Sequence, residues 1–376
     1  MRGGEGMPTS TTSPERSRGD FHNPLNPLGL ERIDHFQMTG TIDRLEPLYR
    51  RLGFARVGSG RAPWGRLLHL RQHHMDVLIL EADDTHPAGR YYQAHGEGVC
   101  ALHFQVADLD LALAQARASG ARVMMEPERH RLGGGTVGFA AIRGVGDVLN
   151  GLVERRGEPD VFWPDLRPDP GRPLCEPGLV RVDHLTNNVG ADSMADLVGY
   201  YERVFGFQVT RTFNIQGRLG TGLRSKVVQS ANNRVIIPIN EPTDARSQIQ
   251  EFVSRHKGPG VQHVAMSTHR IQETVRVLAA QGFRFLKVPD TYYELLPKRI
   301  AQGGYRVTED LGELQALGIQ VDGDETGYLL QIFSEDQIGP LFFELIQRRG
   351  NLGFGEGNFQ ALYDAIELDQ QRRGVL

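Results

Sequence analysis

The sequence predicts an α+β fold made of four copies of one strand–helix–strands unit, paired into two halves. Three observations predict it. A β-branched strand leading into an amphipathic helix recurs four times, with strands over 31–38, 99–106, 179–186 and 261–268. Each helix closes on one signal, a glycine and then an apolar residue: Gly53-Phe54, Gly120-Ala121, Gly206-Phe207 and Gly282-Phe283. Glycine takes the left-handed conformation there without a Cβ penalty, and the next residue packs back on the last turn. Alternating apolar runs then follow, such as Leu67-Leu68-His69-Leu70, Val77-Leu78-Ile79-Leu80 and Val235-Ile236-Ile237-Pro238-Ile239. They read as antiparallel strands with one buried face.

In chain order, residues 1–27 carry Gly, Pro, Ser and mixed charge without an apolar core. They are expected to be a disordered leader rather than a secretory signal, with Met7 as an alternative start. Residues 28–155 hold the first two units. A Pro-rich stretch from Pro159 to Pro173 marks a linker over 156–178, because proline removes backbone donors. Residues 179–376 hold the other two units and end in a helix over 358–373. Phe359, Leu362, Tyr363 and Ile366 share one face of that helix, and Asn358 suits its N-cap.

Composition excludes several functions. At 376 residues and a net charge of −4, the chain has no basic stripe for nucleic acid and no acidic tail for a basic partner. No apolar run is long enough to span a bilayer, so no membrane association is expected. Cys100 and Cys175 are the only cysteines, far apart, which argues against a disulfide framework and for a reducing, cytoplasmic compartment.

The unit strands each contain a histidine: His35, His103, His184 and His263. In the second half a late strand adds Glu344, directly after two phenylalanines. Two neutral imidazoles and one carboxylate can occupy one face of an octahedral metal and leave the opposite face open, as a mononuclear non-heme Fe(II) centre requires. The bland alternative for either histidine is a hydrogen-bonded core residue, and Asp183 beside His184 has the plain reading of pairing with a nearby cation. A buried glutamate without compensation is costly, so the ordered set favours ligation. His35, His103 and Glu154 occupy the matching places in the first half, but no block of pocket-type residues accompanies them. A structural role is expected for them. His69, His73, His74, His86, His95 and His130 show no partner pattern and are expected to be solvated.

Several ordered blocks carry a resemblance. Leu329-Leu330-Gln331-Ile332-Phe333, Phe343-Glu344-Leu345-Ile346-Gln347-Arg348 and Gly353-Phe354-Gly355-Glu356-Gly357-Asn358-Phe359 lie near the C-terminus. Ile239-Asn240-Glu241-Pro242, Ser247-Gln248-Ile249-Gln250 and Gly260-Val261-Gln262-His263 precede them. Together they resemble the 4-hydroxyphenylpyruvate dioxygenases, on the vicinal oxygen chelate fold, over residues 179–373. The resemblance implies two open-barrel domains of paired βαβββ modules, the first non-catalytic, with the terminal helix as a lid. It implies that His184, His263 and Glu344 bind one Fe(II) per chain. It implies that Ser225, Asn240, Gln248, Gln262 and Gln331 line the substrate pocket, and that Phe333, Phe354 and Phe359 wall it.

An aryl-2-oxo acid needs a metal face for two oxygens, a flat apolar slot and neutral groups for a phenol, which these residue types provide. The implied reaction takes 4-hydroxyphenylpyruvate and O₂ to homogentisate and CO₂ in tyrosine and phenylalanine catabolism, by a dimer or tetramer. Three rivals remain. Hydroxymandelate synthases share substrate and ligands but carry a smaller aliphatic residue where Phe333 stands. Extradiol dioxygenases need a base beside the metal rather than amides. A non-catalytic aromatic-binding module would hold no iron.

Overall fold

The computed structural model describes residues 23–169, 176–216, 222–358 and 360–362. The first unit comprises β1 (Leu30–Thr39), α1 (Ile42–Arg51), β2 (Ala55–Ala62), β3 (Gly65–Gln72) and β4 (Met75–Ala82). After α2 (Pro87–His95), the second comprises β5 (Gly98–Val106), α3 (Leu109–Ala118), β6 (Val123–Arg143) and β7 (Leu149–Pro159), and β8 (Leu166–Pro168) joins the sheet edge. The third comprises β9 (Leu179–Asn188), α4 (Met194–Phe205), β10 (Gln208–Gln216), β11 (Gly222–Gln229) and β12 (Ile236–Pro242). After α5 (Gln248–His256), the fourth runs through β13 (Gly260–Thr268), α6 (Ile271–Ala280), α7 (Asp290–Gly303) and α8 (Leu311–Leu317). It ends in β14 (Gln320–Asp324), β15 (Gly327–Phe333) and β16 (Phe342–Arg349). The four glycines expected to close helices all take positive φ, between 69° and 89°.

Two curled eight-stranded sheets result, ordered β6-β7-β5-β1-β4-β3-β2-β8 and β10-β11-β12-β9-β13-β16-β15-β14. Within each unit the first strand lies parallel to the last: β1 to β4, β5 to β7, β9 to β12 and β13 to β16. The units of one half meet through their first strands, antiparallel, as β1–β5 and β9–β13. These strands are therefore central in their sheets and buried on both faces over their C-terminal parts, where β1 and β9 carry polar side chains among the apolar ones. The four histidines lie on these central strands.

The halves share a packed core. Phe104 of β5 meets Phe205 of α4 edge-on at 5.5 Å between centroids, and Tyr49 of α1 meets Phe343 of β16 at 5.9 Å. The Tyr91 hydroxyl lies 2.7 Å from His256 Nε2, joining α2 to α5.

Four expectations are corrected. The linker begins inside the first sheet: β7 runs to Pro159, Leu166–Pro168 pairs with β2, and Trp163 is buried. Residues 23–27 of the expected leader form a turn, and Pro24 and Pro27 pack at the end of α4 beside Gly206. Asn358 is not an N-cap; it lies within a helical turn and its Oδ1 accepts from the Tyr292 hydroxyl at 2.6 Å. Phe359 and residues 363–373 of the expected terminal helix lie outside the described residues. Finally, α7 and α8 are an insertion that the repeat did not anticipate. Pro289 and Pro297 interrupt the local apolar period, although Tyr292, Tyr293 and Leu296 are buried.

Candidate metal centre

Register irregularities shape the centre. Along β9–β13 the pairing passes from Ala265↔His184 to Met266↔Val182, skipping Asp183, and from Val261↔Asn187 to His263↔Thr186, skipping Gln262. A bulge of this kind re-aims the neighbouring side chain. Each histidine thus has the preceding residue turned towards its own ring. Asp183 Oδ1 lies 2.9 Å from His184 Nδ1, and Gln262 Oε1 lies 3.1 Å from His263 Nδ1. These acceptors place a proton on each Nδ1 and leave Nε2 as the ligand atom.

Both Nε2 atoms face one carboxylate oxygen. Glu344 Oε2 lies 3.2 Å from His184 Nε2 and 3.4 Å from His263 Nε2. One ligand atom from each of these three buried residues lies within 4.8 Å of the others. Glu344 Oε1 is buried without a hydrogen-bond partner. Two imidazole nitrogens, a carboxylate and an unpartnered oxygen form a donor set that suits a divalent metal with open positions. The three expected ligands can therefore hold a metal ion.

The charge balance points the same way. Burial opposes ionisation of Glu344, but the adjacent His184 and His263 outweigh it and hold the carboxyl at about 2. Burial disfavours charge on His184 too, yet Glu344 and Asp183 raise it to about 9. His263 goes the other way: burial dominates and lowers it, with Glu344 alone opposing. The difference arises because His184 is backed by a carboxylate and His263 by a neutral amide. Burial also works against the Asp183 charge, but hydrogen bonds from Arg348 and His184 hold it well below the usual carboxylate range.

The open side faces a two-lobed cavity. An inner lobe of about 50 Å³ is bounded by the three ligands with Thr186, Phe213, Ser225, Asn240, Phe333 and Phe354. An outer lobe of about 460 Å³ adds Gln248, Phe252, Gln262 and Phe342. The lobes meet at Leu223, Asn240, His263 and Phe333. The aromatic rings are seated on the ligands: Phe354 meets His184 edge-on at 5.4 Å, and Phe342 stacks on His263 at 4.8 Å.

The expected pocket residues divide. Ser225, Asn240, Phe333 and Phe354 border the inner lobe, whereas Gln248 and Gln262 border the outer one. Gln248 is the first residue of α5 and is exposed. Gln331 borders neither lobe: it is fully buried, on the same strand face as Phe333, and neither of its amide atoms has a partner.

Thr186, Phe213 and Phe342 escaped sequence reasoning. Alternation finds Thr186, two residues from His184 on β9, with its Oγ1 2.9 Å from His263 Nε2. Cross-strand register finds Phe213, which heads the row Phe213↔Ser225↔Asn240.

In the first half the matching trio does not converge. His35 and His103 stack at 4.1 Å, and Phe162 and Trp163 cover them edge-on. Register places Val153, not Glu154, where Glu344 stands, since His103↔Gly151 matches His263↔Phe342. Glu154 lies on the opposite face and pairs with Arg156 at 2.6 Å. Among the described residues, only His184, His263 and Glu344 form a metal-type cluster. The expectation of solvated histidines holds for His73 and His74, which are exposed, and is corrected for three others. His69 is buried against Asp76 at 2.6 Å, His86 caps α2, and His95 lies 2.9 Å from Asp147.

Residues 21–165 match the model of the hydroxyphenylpyruvate dioxygenase N-terminal domain, and residues 181–296 match the glyoxalase, bleomycin resistance protein and dioxygenase superfamily. A 4-hydroxyphenylpyruvate dioxygenase of Pseudomonas aeruginosa is 37% identical over 94% of this chain and 98% of its own. Hemolysin VllY of Vibrio vulnificus is 39% identical over 95% and 99%. A triple variant of 4-hydroxymandelate synthase from Streptomyces coelicolor superposes with a TM-score of 0.77 at 27% identity, over 91% and 99%. The paired sheets are thus two vicinal oxygen chelate domains. With matches of this extent running through both halves, the chain belongs to the 4-hydroxyphenylpyruvate dioxygenase family of enzymes.

Proposed function

We propose that the chain converts 4-hydroxyphenylpyruvate and O₂ to homogentisate and CO₂, with one Fe(II) held by His184, His263 and Glu344. The observation that carries this reading is the convergence of the three ligand atoms within 4.8 Å beside an aromatic-walled cavity. When bound, Fe(II) supplies the chelation of the 2-oxo acid and the activation of O₂.

The chain's own residues supply geometry and dryness. Asp183 and Gln262 fix the two imidazoles with Nε2 inward. Phe333 and Phe354 flank the aryl ring and keep water from the reacting atoms. Ser225, Asn240, Gln248 and the unpartnered amide of Gln331 offer neutral partners to a phenol without a charge that competes for the metal.

No described helix is long and apolar enough to cross a membrane. We place the enzyme in cytoplasmic tyrosine and phenylalanine catabolism as a dimer or tetramer, which light scattering on the purified chain will measure. The deciding experiment is oxygen uptake with 4-hydroxyphenylpyruvate and Fe(II), followed by product identification. Homogentisate is expected. A predominance of 4-hydroxymandelate would assign the side-chain hydroxylation instead, and no uptake at all would leave an aromatic-binding module.

A further inference from the structure

The two halves contain the same four-residue arrangement. In the second, Arg348 donates from Nε and Nη2 to the two oxygens of Asp183, at 2.9 and 2.7 Å. Its Nη1 donates to the carbonyl of Gly353 at 2.5 Å, and its guanidinium carbon lies 5.5 Å from the Phe354 ring centre. Asp183 in turn accepts from His184, and Phe354 meets His184 edge-on at 5.4 Å.

In the first half, Arg155 donates to both oxygens of Asp34 at 2.8 and 2.7 Å. Its Nη1 donates to the carbonyl of Phe162 at 2.8 Å, and its guanidinium carbon lies 4.1 Å from the Phe162 ring centre. Asp34 lies 2.8 Å from His35 Nδ1, and Phe162 meets His35 edge-on at 5.3 Å. A bidentate fork, a third donor on a loop carbonyl and a phenylalanine on the imidazole recur, although the surrounding sequences differ.

We propose that Arg348 is a positioning residue that ties the roof of the cavity, at Gly353 and Phe354, to the ligand His184 through Asp183. The inference rests on the metal reading above and adds to it a mechanical link. The planar fork fixes the plane of the Asp183 carboxylate, and that carboxylate fixes the rotation and tautomer of His184. The same rigid group holds the loop that lays Phe354 over the ligand, so ring and roof share one anchor. Only Arg offers this geometry, since a lysine ammonium cannot serve both carboxylate oxygens and a carbonyl in one plane. The first half shows the device with its ring pressed closer, 4.1 Å against 5.5 Å, and no metal-type cluster beneath. The clamp is therefore separable from the metal.

That duplication provides the control. Binding of Co(II), used as the probe, is measured by calorimetry and by its visible spectrum on the purified full chain. Arg348→Met is expected to weaken Co(II) binding by about ten- to hundredfold, the usual effect of losing such a supporting partner. It also alters the Co(II) spectrum. Arg155→Met breaks the equivalent clamp and should leave Co(II) affinity within about twofold. Asp183→Asn, nearly isosteric, is expected to weaken binding as Arg348→Met does, and it serves if the latter fails to fold. Wild-type affinity and spectrum in Arg348→Met or Asp183→Asn would overturn the proposal, as would an equal loss in Arg155→Met. Co(II) binding requires no turnover. A chain without oxygenase activity that still loses Co(II) affinity sinks the proposed reaction and leaves the clamp standing.

Discussion

At the residue scale, Glu344 is the side chain on which the centre depends. It lies between two imidazoles, fully ionised and buried, with one oxygen unpartnered. Glu344→Ala is expected to lower bound iron to background and abolish oxygen uptake while circular dichroism stays unchanged, since the histidines lose only a polar neighbour. Gln331 illustrates the opposite balance. A buried amide with no partner destabilises a fold by about 1–3 kcal/mol. Gln331→Met, of similar shape, should therefore raise the thermal midpoint while weakening substrate binding; an unchanged KM would remove Gln331 from the pocket. The cluster that can hold a metal was legible because His184, His263 and Glu344 stand in strand-like runs with matching context. The partners were less so. Asp183 was visible as half of an ion pair, but Arg348 sits 165 residues away and only the fold brings them together.

At the element scale, the four repeated units could be read because each closes its helix on the same glycine signal and each central strand is buried on both faces over its C-terminal part. The insertion of α7 and α8 could not, because prolines break its period and its buried tyrosines spend their hydroxyls on distant backbone, as Tyr292 does with Val321. The turn after β16 carries its own test. Gly355 has φ +71°, and a Cβ there would meet Gln331 Oε1 at 1.8 Å. Gly355→Ala should cost about 1–3 kcal/mol through strain and overpacking, read as a lower unfolding midpoint in denaturant. It should also displace Gln331 and Phe354 together, so KM for the 2-oxo acid is expected to rise. An alanine variant with wild-type KM would show that the turn does not set the cavity wall.

For the whole molecule, buried histidines away from the metal centre make stability depend on pH. Burial lowers His35, His69, His103 and His256 below their ordinary value of 6.5. The unfolded chain therefore binds protons that the folded chain refuses, and stability falls as pH drops below about 6.5. Each unit of depression corresponds to about 1.4 kcal/mol. Scanning calorimetry should find a lower midpoint at about pH 5.5 than at about pH 7.5; equal midpoints would refute this. His35 and His103 were read from the sequence as structural, whereas His69 and His256 were not, because a histidine's surroundings depend on which elements meet.

The stacked His35 and His103, with Phe162 and Trp163 edge-on against them, have a pharmacological consequence. A flat aryl inhibitor that anchors on a metal held by His184, His263 and Glu344 finds no second anchor among the described residues of the first half, whose cavity of about 240 Å³ beside His103 and Trp163 has no metal-type ligand set. Despite the internal symmetry, such a compound should saturate the protein at a single equivalent, and dose–response curves should carry no second plateau.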